Sequence, residues 1–141
     1  MMTIRTFIAP SRIHGIGIFA AKRIPEGTLV WKFHPDVDRT LTEEAIRALP
    51  LGCREQIEKY SYFSSVYQAY VLCGDDARFF NHSVSPNCRD YQTGDEEITV
   101  AGRDIEAGEE LTSDYATFDA RHRPDEFEPG EEGRKPLPRL A

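Results

Sequence analysis

Cysteine is scarce in this sequence, and the spacing of the few cysteines excludes two kinds of site. The 141 residues contain three cysteines, Cys53, Cys73 and Cys88, and no two of them are separated by only two residues. An odd, widely spaced set is typical neither of a disulfide framework nor of a structural zinc site. We therefore expect no metal, and an intracellular compartment, either cytoplasmic or nuclear.

Long apolar runs are also missing. No segment approaches the roughly 20 apolar residues that a membrane-spanning helix needs. The N-terminal residues Met1–Phe7 lack the extended apolar core of a signal peptide. We therefore expect no membrane partner and no secretion signal.

Positive charge is in deficit. The chain has 17 lysines and arginines against 24 aspartates and glutamates, a formal net charge of −7. Direct nucleic-acid binding is disfavoured because it needs a basic surface that displaces counterions. An acidic surface instead raises the local concentration of basic partners, so the charge favours a basic protein or peptide partner.

The residues that are present predict one β-rich domain, because this length suffices for a single core. Alternating or β-branched residues predict short strands, and no βαβ alternation supports a parallel sheet. The strands are expected near Thr3–Ile8, Ile18–Ala20, Val30–Phe33, Tyr67–Leu72 and Ile98–Ala101. A capping-box pattern at Thr40–Glu43 predicts a short helix, and a second is expected over Cys53–Tyr60.

Two similar turns lie more than 80 residues apart. Ile24–Gly27 and Ile105–Gly108 share the same offset between isoleucine and glycine, and each leads into a predicted strand. A repeat array would need at least three such units. We therefore interpret the two turns as paired corners of one β architecture.

The composition changes after Phe118. Residues 119–141 contain four prolines and eleven charged groups and little that is apolar. Such a segment cannot bury enough surface to offset its ordering entropy. We predict a folded domain over residues 1–118 and a tail over 119–141, which is either mobile or a lid that orders with a ligand.

Three stretches carry the candidate chemistry. Gly15–Phe19 begins with Gly-Ile-Gly, which either lets the backbone approach a ligand closely or simply opens a strand. The stretch Arg78–Cys88 reads RFFNHSVSPNC, a polar loop whose Asn81 and His82 bind either a polar ligand or the loop's own backbone. The third stretch, Glu109–Tyr115, reads EELTSDY.

Together these stretches resemble the SET-domain protein lysine methyltransferases, in the family's order and over roughly residues 4–118. The resemblance implies a mostly β SET-domain (β-clip) fold of short strands with one or two inserted short helices. It also implies a pseudoknot near the C-terminus, in which the segment ending at Tyr115 threads beneath the loop that carries Asn81 and His82.

The resemblance further implies S-adenosylmethionine as the cofactor, without a metal. Asn81 would bond the cofactor through its side chain, and His82 largely through its backbone. The cofactor-binding set would be His14, Gly15, Ile16, Gly17, Arg78, Phe79, Asn81, His82, Tyr115 and Phe118. The substrate lysine would enter a channel lined by Tyr60, Tyr62, Tyr70 and Ser113.

Tyr115 would be the catalytic residue. A lysine with a free pKa of about 10.4 must attack as a neutral amine, and a desolvated aromatic channel disfavours its ammonium form. A phenol with a pKa of about 10 is a poor base at neutral pH. We therefore expect Tyr115 to orient the amine rather than to remove its proton.

The sequence departs from the family pattern at three places. No cysteine follows Cys88, so the family's zinc cluster after the domain is missing, and we expect Cys88 to be a small buried thiol. Ser113 stands where the family usually has Phe or Tyr, which predicts either more than one methylation or a remodelled site. Phe33–His34–Pro35 replaces the usual acidic pair after the second strand.

Two functions therefore stay open. The first is methyl transfer to lysine in a histone-like tail or another lysine-rich protein, favoured by the presence of both Asn81 and Tyr115. The alternative is a catalytically weak SET-like binding module, favoured by Ser113 and the missing acidic pair. A homodimer is also a hypothesis, because a second subunit could complete a short substrate wall.

Overall fold

The computed structural model describes residues 1–122, which fold mostly into short strands. The strands are β1 (Thr6–Pro10), β2 (Ile16–Ala20), β3 (Leu29–Lys32), β4 (Arg39–Leu41), β5 (Ser61–Ser64), β6 (Ala69–Leu72), β7 (Asn81–His82), β8 (Cys88–Thr93), β9 (Glu96–Ala101) and β10 (Thr112–Ser113). Between β4 and β5 lie the helices α1 (Glu43–Arg47) and α2 (Leu51–Tyr60). Short 3₁₀ turns cover Asp76–Phe79 and Tyr115–Thr117. The predicted fold class, mostly β with two short inserted helices, is confirmed.

The strands form four small sheets. β1 pairs with β2, β9 lies between β3 and β8, and β6 lies between β4 and β5, all antiparallel. β7 and β10 pair in parallel. The largest buried apolar cluster joins the β1–β2 sheet to the β3–β9–β8 sheet, and it includes Ile18, Val30, Cys88, Ile105 and Leu111, all fully buried. Burial of these side chains is the main force that holds these two sheets together.

The two similar turns meet as paired corners. Ile24 and Ile105 exchange backbone hydrogen bonds of 2.8 and 2.9 Å. Gly27 and Gly108, three residues further on in each turn, have φ angles of +80° and +86°. Only glycine adopts this left-handed region without strain, which explains the shared offset and confirms the interpretation.

Most predicted elements are shifted by one to three residues at an end, and α1 and β1 show why. Thr40 does not cap α1, because it pairs with Val71 inside the β4–β6 ladder. The cap is Thr42, whose side chain accepts a hydrogen bond from the Ala45 N–H at 3.1 Å. The first strand begins at Thr6 rather than Thr3, whose N–H instead bonds Val30. Pairing with neighbouring strands thus outweighs the local pattern.

The C-terminal segment is clasped by the central loop. β10 lies parallel to β7, with Thr112 opposite Asn81, and the N–H of Ser83 bonds the carbonyl of Ser113 at 3.0 Å. The side chain of Asn87 donates to the Glu110 carbonyl at 2.7 Å and accepts from the Thr112 N–H at 2.9 Å. These bonds form the knot-like arrangement that the family resemblance implies.

Residues 119–122, assigned by composition to the tail, pack against the domain. The N–H of Ala120 bonds the Phe63 carbonyl at 3.0 Å, and the Arg121 guanidinium lies 4.1 Å from the Phe63 ring centroid. The folded part therefore reaches His122, while residues 123–141 of the predicted tail lie outside the described residues. Among residues 1–122 no helix has the length and apolar character needed to cross a membrane.

Candidate active site

The Gly-Ile-Gly stretch and the central loop are joined by one side chain. The amide nitrogen of Asn81 donates to the carbonyls of His14 at 3.0 Å and Ile16 at 3.2 Å. It also donates to Oε1 of Glu110 at 2.8 Å, and the same carboxylate accepts from the Ser11 hydroxyl at 2.8 Å. The cofactor-binding residues proposed at 14–17 and at Asn81 therefore lie together, with Glu110 at their centre.

The two glycines are required for different reasons. Gly15 has a φ angle of +48°, in the left-handed region. At Gly17 an added Cβ would lie 2.2 Å from Oε1 of Glu110, well inside contact distance. The stretch is thus a close approach of the backbone and not merely the entry to a strand, and the group that approaches it is the Glu110 carboxylate.

This region fits S-adenosylmethionine in its chemistry. Oδ1 of Asn81 accepts no hydrogen bond from any residue in the range 1–122, which leaves it available to an ammonium group. Ile13 and Ile16 are 38% and 48% exposed and provide apolar surface beside the glycines. A cofactor with a charged amino-acid end and a large, less polar remainder needs both kinds of group.

Tyr115 is buried, and its hydroxyl and its backbone N–H are both hydrogen-bonded. Its hydroxyl donates to the Phe80 carbonyl at 2.5 Å, and its N–H donates to Nδ1 of His82 at 3.1 Å. Burial raises the pKa of Tyr115 far above that of a free phenol, and nearby carboxylates at Asp119 and Glu110 add to the effect. The hydroxyl therefore stays neutral at physiological pH.

His82 is held as a neutral acceptor. Its ring centroid lies 5.2 Å from that of Tyr115. Burial lowers the pKa of His82, opposed by the charge of Asp114 and reinforced by His122. Because Nδ1 accepts the Tyr115 N–H, a proton on that nitrogen would break the bond that positions the tyrosine.

A cleft open to solvent lies beside Tyr115, and it encloses about 720 Å³ when the open solvent at its mouth is included. Its walls include three of the predicted channel residues, Tyr60, Tyr62 and Ser113, and three of the predicted cofactor-binding residues, Arg78, Tyr115 and Phe118. Phe80, whose carbonyl bonds Tyr115, also lines the cleft. Tyr115 is therefore the residue that joins the Asn81 region to the cleft.

Other aromatic and motif residues lie outside the cleft walls. Tyr70, predicted to line the channel, packs its ring 5.3 Å from that of Phe63, and its hydroxyl bonds Arg121 at 2.5 Å. The Phe79 ring packs edge-on against the Tyr60 ring, with their centroids 5.7 Å apart. Neither side chain lines the cleft, and each packs against a neighbouring ring instead.

One wall of the cleft is polar, and no motif predicted it. In the β8–β9 ladder Asp90 lies opposite Thr99, and Gln92 lies opposite Glu97. Because side chains alternate across a strand, these four share one face, and all four line the cleft. We call them the polar floor.

Asp90 lies beside the turn that carries Tyr115. It accepts hydrogen bonds from Thr99 at 2.6 Å, from Thr117 at 3.5 Å and from Ser113. Burial raises the pKa of Asp90 to about 6, and the charge of Glu97 pushes the same way, while these hydroxyl bonds oppose the shift. Its carboxylate is thus poorly compensated.

Glu97 is 4% exposed and is bonded by hydroxyl groups. Its two oxygens accept from the Tyr62 hydroxyl and from the Ser64 hydroxyl, each at 2.6 Å. Burial, together with the negative charges of Glu97 and other nearby groups, raises the pKa of Tyr62 well above its ordinary value. Tyr62 is therefore a fixed hydrogen-bond donor.

Cys88 is fully buried in the core, as predicted. Burial raises the pKa of its thiol to about 12, which keeps the sulfur protonated and unreactive. Within residues 1–122, no three His, Cys, Asp or Glu side chains gather in an arrangement that could hold a metal ion.

Comparison with known proteins places these features in a family. The family model described as "SET domain" matches residues 15–116, from the first glycine of the Gly-Ile-Gly stretch to the residue after Tyr115. The chain belongs to the SET-domain family. The match includes Asn81, Glu110, most of the residues that line the cleft, and the clasp of β10 against β7.

Curated relatives of the chain include histone-lysine N-methyltransferase 2D of Homo sapiens, which is 35% identical over 117 residues, or 77% of this chain. A Schizosaccharomyces pombe protein named histone-lysine N-methyltransferase, H3 lysine-4 specific, is 35% identical over 114 residues, or 75% of the chain. The chain spans 2% and 12% of the lengths of these two relatives.

Solved structures share the fold. A humanized mutant of the Chaetomium thermophilum Polycomb Repressive Complex 2 aligns with a TM-score of 0.59 at 21% identity. The alignment covers 82% of this chain and 15% of that one. At this level of identity the likeness supports the SET fold alone.

Proposed function

We propose that the chain transfers a methyl group from S-adenosylmethionine to the side-chain amine of lysine in a basic protein. The observation that carries this proposal is the position of Tyr115. It contacts His82 and the Phe80 carbonyl of the central loop and also lines the cleft. A neutral hydroxyl at this junction can orient an amine that enters through the cleft.

S-adenosylmethionine, when bound, supplies an electrophilic methyl group on a positively charged sulfur. The glycines at 15 and 17 would give it access to the backbone, and Asn81 would accept from its ammonium group through Oδ1. His82 and the remaining candidate residues, Arg78, Phe79 and Phe118, would complete the site. Tight positioning of this kind supplies much of the rate of an in-line displacement.

The cleft would prepare the substrate lysine. The aromatic walls formed by Tyr60, Tyr62 and Phe118 would exclude water and so disfavour the ammonium form of the amine. Tyr115, whose pKa burial raises, would hold the amine by a hydrogen bond. It cannot serve as the base, because its proton is held too tightly.

The substrate proposed is a basic, lysine-rich protein such as a histone tail. The net charge of −7 favours such a partner. The 35% identical relatives in human and fission yeast carry the name histone-lysine N-methyltransferase. Ser113 lines the cleft, and its small side chain would leave space for more than one methyl group on the same amine.

The direct test is transfer of labelled methyl from S-adenosylmethionine to a core-histone mixture by the full chain. The control is the same mixture with its lysine amines chemically acetylated. We expect label on the untreated histones alone, and mass spectrometry should detect lysines that carry two or more methyl groups. Equal labelling of both mixtures would contradict lysine as the acceptor, and purely monomethyl product would contradict the role given to Ser113.

The alternative function, a SET-like binding module, is favoured by one observation. Ser113 replaces an aromatic wall residue and bonds Asp90 instead, so the site differs from the family pattern beside Tyr115. That reading predicts cofactor or peptide binding without label transfer to any lysine-rich protein.

A further inference from the structure

The polar floor carries two negative charges without a counter-ion. Asp90 and Glu97 make no ion pair with any lysine, arginine or histidine within residues 1–122. Arg78, the cation of the cleft wall, donates to the Cys73 carbonyl at 2.8 Å. Buried carboxylates are usually paired because an uncompensated buried charge is costly. The floor therefore lacks the partner that such charges normally have.

A second observation also points to a missing polar occupant. The hydroxyl oxygen of Ser61 and the indole nitrogen of Trp31 are buried and find no hydrogen-bond partner among residues 1–122, and both residues are 5% exposed. Both belong to the lining of the same cleft. Unsatisfied polar side chains at this burial are rare and call for an explanation. The Ser61 hydroxyl can accept a hydrogen bond from an ammonium group in the cleft, whereas the Trp31 indole N–H only donates and is not explained by such a ligand.

We propose that the polar floor binds the substrate's primary ammonium group and that Asp90 accepts its proton. This proposal rests on the proposed function and extends it. In the step, an N–H bond of the lysine ammonium breaks, its electron pair stays on nitrogen, and an O–H bond forms on the Asp90 carboxylate. The products are a neutral amine and a neutral carboxylic acid.

Asp90 suits this role better than Glu97. Glu97 is 4% exposed, and the hydroxyls of Tyr62 and Ser64 each donate to it at 2.6 Å. Asp90 also accepts from hydroxyl groups, those of Thr99, Thr117 and Ser113, but it is only half-buried. Its carboxylate is thus the more accessible of the two to a ligand, while the charge of Glu97 on the same face favours a cation.

The position of Asp90 connects it to the reacting end of the cleft. Ser113 and Thr117, its partners, lie two residues before and two residues after Tyr115. Burial raises the pKa of Asp90 to about 6, toward that of a desolvated amine. Without water to hydrate them, the carboxylate and ammonium lose much of their stability relative to the neutral acid and amine, so transfer of the proton becomes easier.

The probe for the subsite is n-butylammonium, with n-butanol as its neutral analogue of similar shape. Binding to the full chain is followed through backbone amide NMR shifts. We expect millimolar binding of n-butylammonium, the order that its few non-hydrogen atoms allow, and at least about tenfold weaker binding of n-butanol. Equal affinities for the two probes would overturn the proposal.

The decisive variant is Asp90→Asn, which removes the charge and keeps the shape. We expect it to weaken n-butylammonium binding at least about tenfold, equivalent to about 1.4 kcal/mol. The matched control is Asp95→Asn, which removes the same charge from the exposed β8–β9 turn and should bind like the parent. Unchanged binding in Asp90→Asn would overturn the proposal.

The pH dependence of the parent provides a test that needs no variant. The probe stays cationic between pH 5 and 8, so protonation of Asp90 below about pH 6 should weaken binding. The titratable groups that face Asp90 are Glu97 on β9, Tyr62 on β5 and Cys88 on its own strand; His82, Tyr115, Arg78 and Asp119 complete the surroundings. Affinity that is constant over this pH range would contradict the proposal.

His82 is the other group that could titrate in this range, and Asp90→Asn separates the two. If the pH dependence of probe binding persists in the variant, it belongs to His82 and the proposal fails. Because probe binding needs neither cofactor nor methyl transfer, it also separates the two proposals. A parent without transferase activity whose probe binding depends on Asp90 would keep the subsite and lose the proposed function. A parent with transferase activity whose probe binding does not depend on Asp90 would keep the proposed function and lose the subsite.

Discussion

The Asn81 region and the polar floor both hold carboxylates that make no ion pair within residues 1–122, but their polar groups are arranged differently. Around Asn81 the polar groups satisfy each other: the amide bonds two carbonyls and Glu110, and Glu110 also bonds Ser11. On the floor, two carboxylates, Asp90 and Glu97, share one face, and among residues 1–122 they have only hydroxyl and amide donors. The first region holds one carboxylate in a closed set of bonds, whereas the second places two like charges along the cleft.

This difference separates two tasks within one site. We call the hydrogen-bonded groups of Ser11, His14, Ile16, Asn81 and Glu110 the cradle. The cradle loses little conformational entropy when a cofactor binds, because its groups are already in place. A floor with buried, uncompensated charge is poorly stabilised until a cation arrives. We therefore expect substitutions near Asn81 mainly to weaken cofactor binding. Substitutions on the polar floor should instead change cation binding and the pH dependence of stability.

The largest effect is expected for Asn81→Ala. This change removes three hydrogen bonds and leaves the carbonyls of His14 and Ile16 without that donor. Lost bonds and newly unsatisfied acceptors typically cost about 1–3 kcal/mol each. We expect calorimetry to show S-adenosylmethionine binding at least about 100-fold weaker, equivalent to about 2.7 kcal/mol.

The matched control is Gln92→Ala, which removes an amide from the polar floor instead of the cradle. Its affinity for S-adenosylmethionine should equal that of the parent, and its circular dichroism should match that of Asn81→Ala. Equal loss of affinity in both variants would erase the distinction between the two regions.

A smaller effect is expected on stability for Asp90→Asn. The pKa of Asp90 is about 6 in the folded chain and about 3.9 in an unfolded one. Between these values the folded state binds more protons, so the free energy of unfolding falls as pH rises from about 4 to about 6. At pH 7.5 the variant should be more stable than the parent by at most about 2.7 kcal/mol, since about two pKa units of penalty, about 1.36 kcal/mol each, are removed.

Near pH 3.5, where the carboxyl group is largely protonated in both states, this advantage should vanish. Urea unfolding at the two pH values measures the difference, with Asp95→Asn as an exposed control whose stability matches the parent at both. A variant that is less stable than the parent at pH 7.5 would show that hydroxyl bonds compensate the Asp90 charge, and would remove the contrast with the cradle.

The cradle was largely predictable from sequence, because its residues are chemically conspicuous. Two glycines, an Asn-His pair and the EELTSDY stretch occur in loops, where polar residues are not explained by a core. The two turns that join Ile24 to Ile105 were predicted in the same way, from an offset that ends at glycine. The roles of the individual cofactor residues stay predictions.

The polar floor could not be predicted, because strand alternation suggests the wrong face. In β9, Ile98 and Val100 alternate with Glu97 and Thr99, and a hydrophobic pattern would place the isoleucine and valine inside. The structure buries Glu97 and Thr99 instead and leaves Ile98 and Val100 half-buried. The partners of β9 show why: β5 supplies the hydroxyls that bond Glu97, and β8 supplies the Asp90 carboxylate that accepts from Thr99.

Glu110 was missed for a different reason. It lies inside the third motif, but its contacts with Ser11 and Asn81 are 99 and 29 residues away along the chain. Such long-range pairs depend on the clasp of β10 against β7, which no local pattern encodes. A glycine at position 17 is the one sequence signal of this contact, because it leaves room for the Glu110 carboxylate.

The measurement that tests the central claim most directly separates cofactor binding from methyl transfer in Tyr115→Phe. The substitution removes only the hydroxyl that bonds the Phe80 carbonyl and lies at the cleft. We expect S-adenosylmethionine affinity within about twofold of the parent, and label transfer to histones reduced about 100-fold or more, as for loss of a positioned catalytic group. Tyr67→Phe, whose ring packs on Phe33 away from the cleft, should keep both properties. Full transfer by Tyr115→Phe would contradict the account.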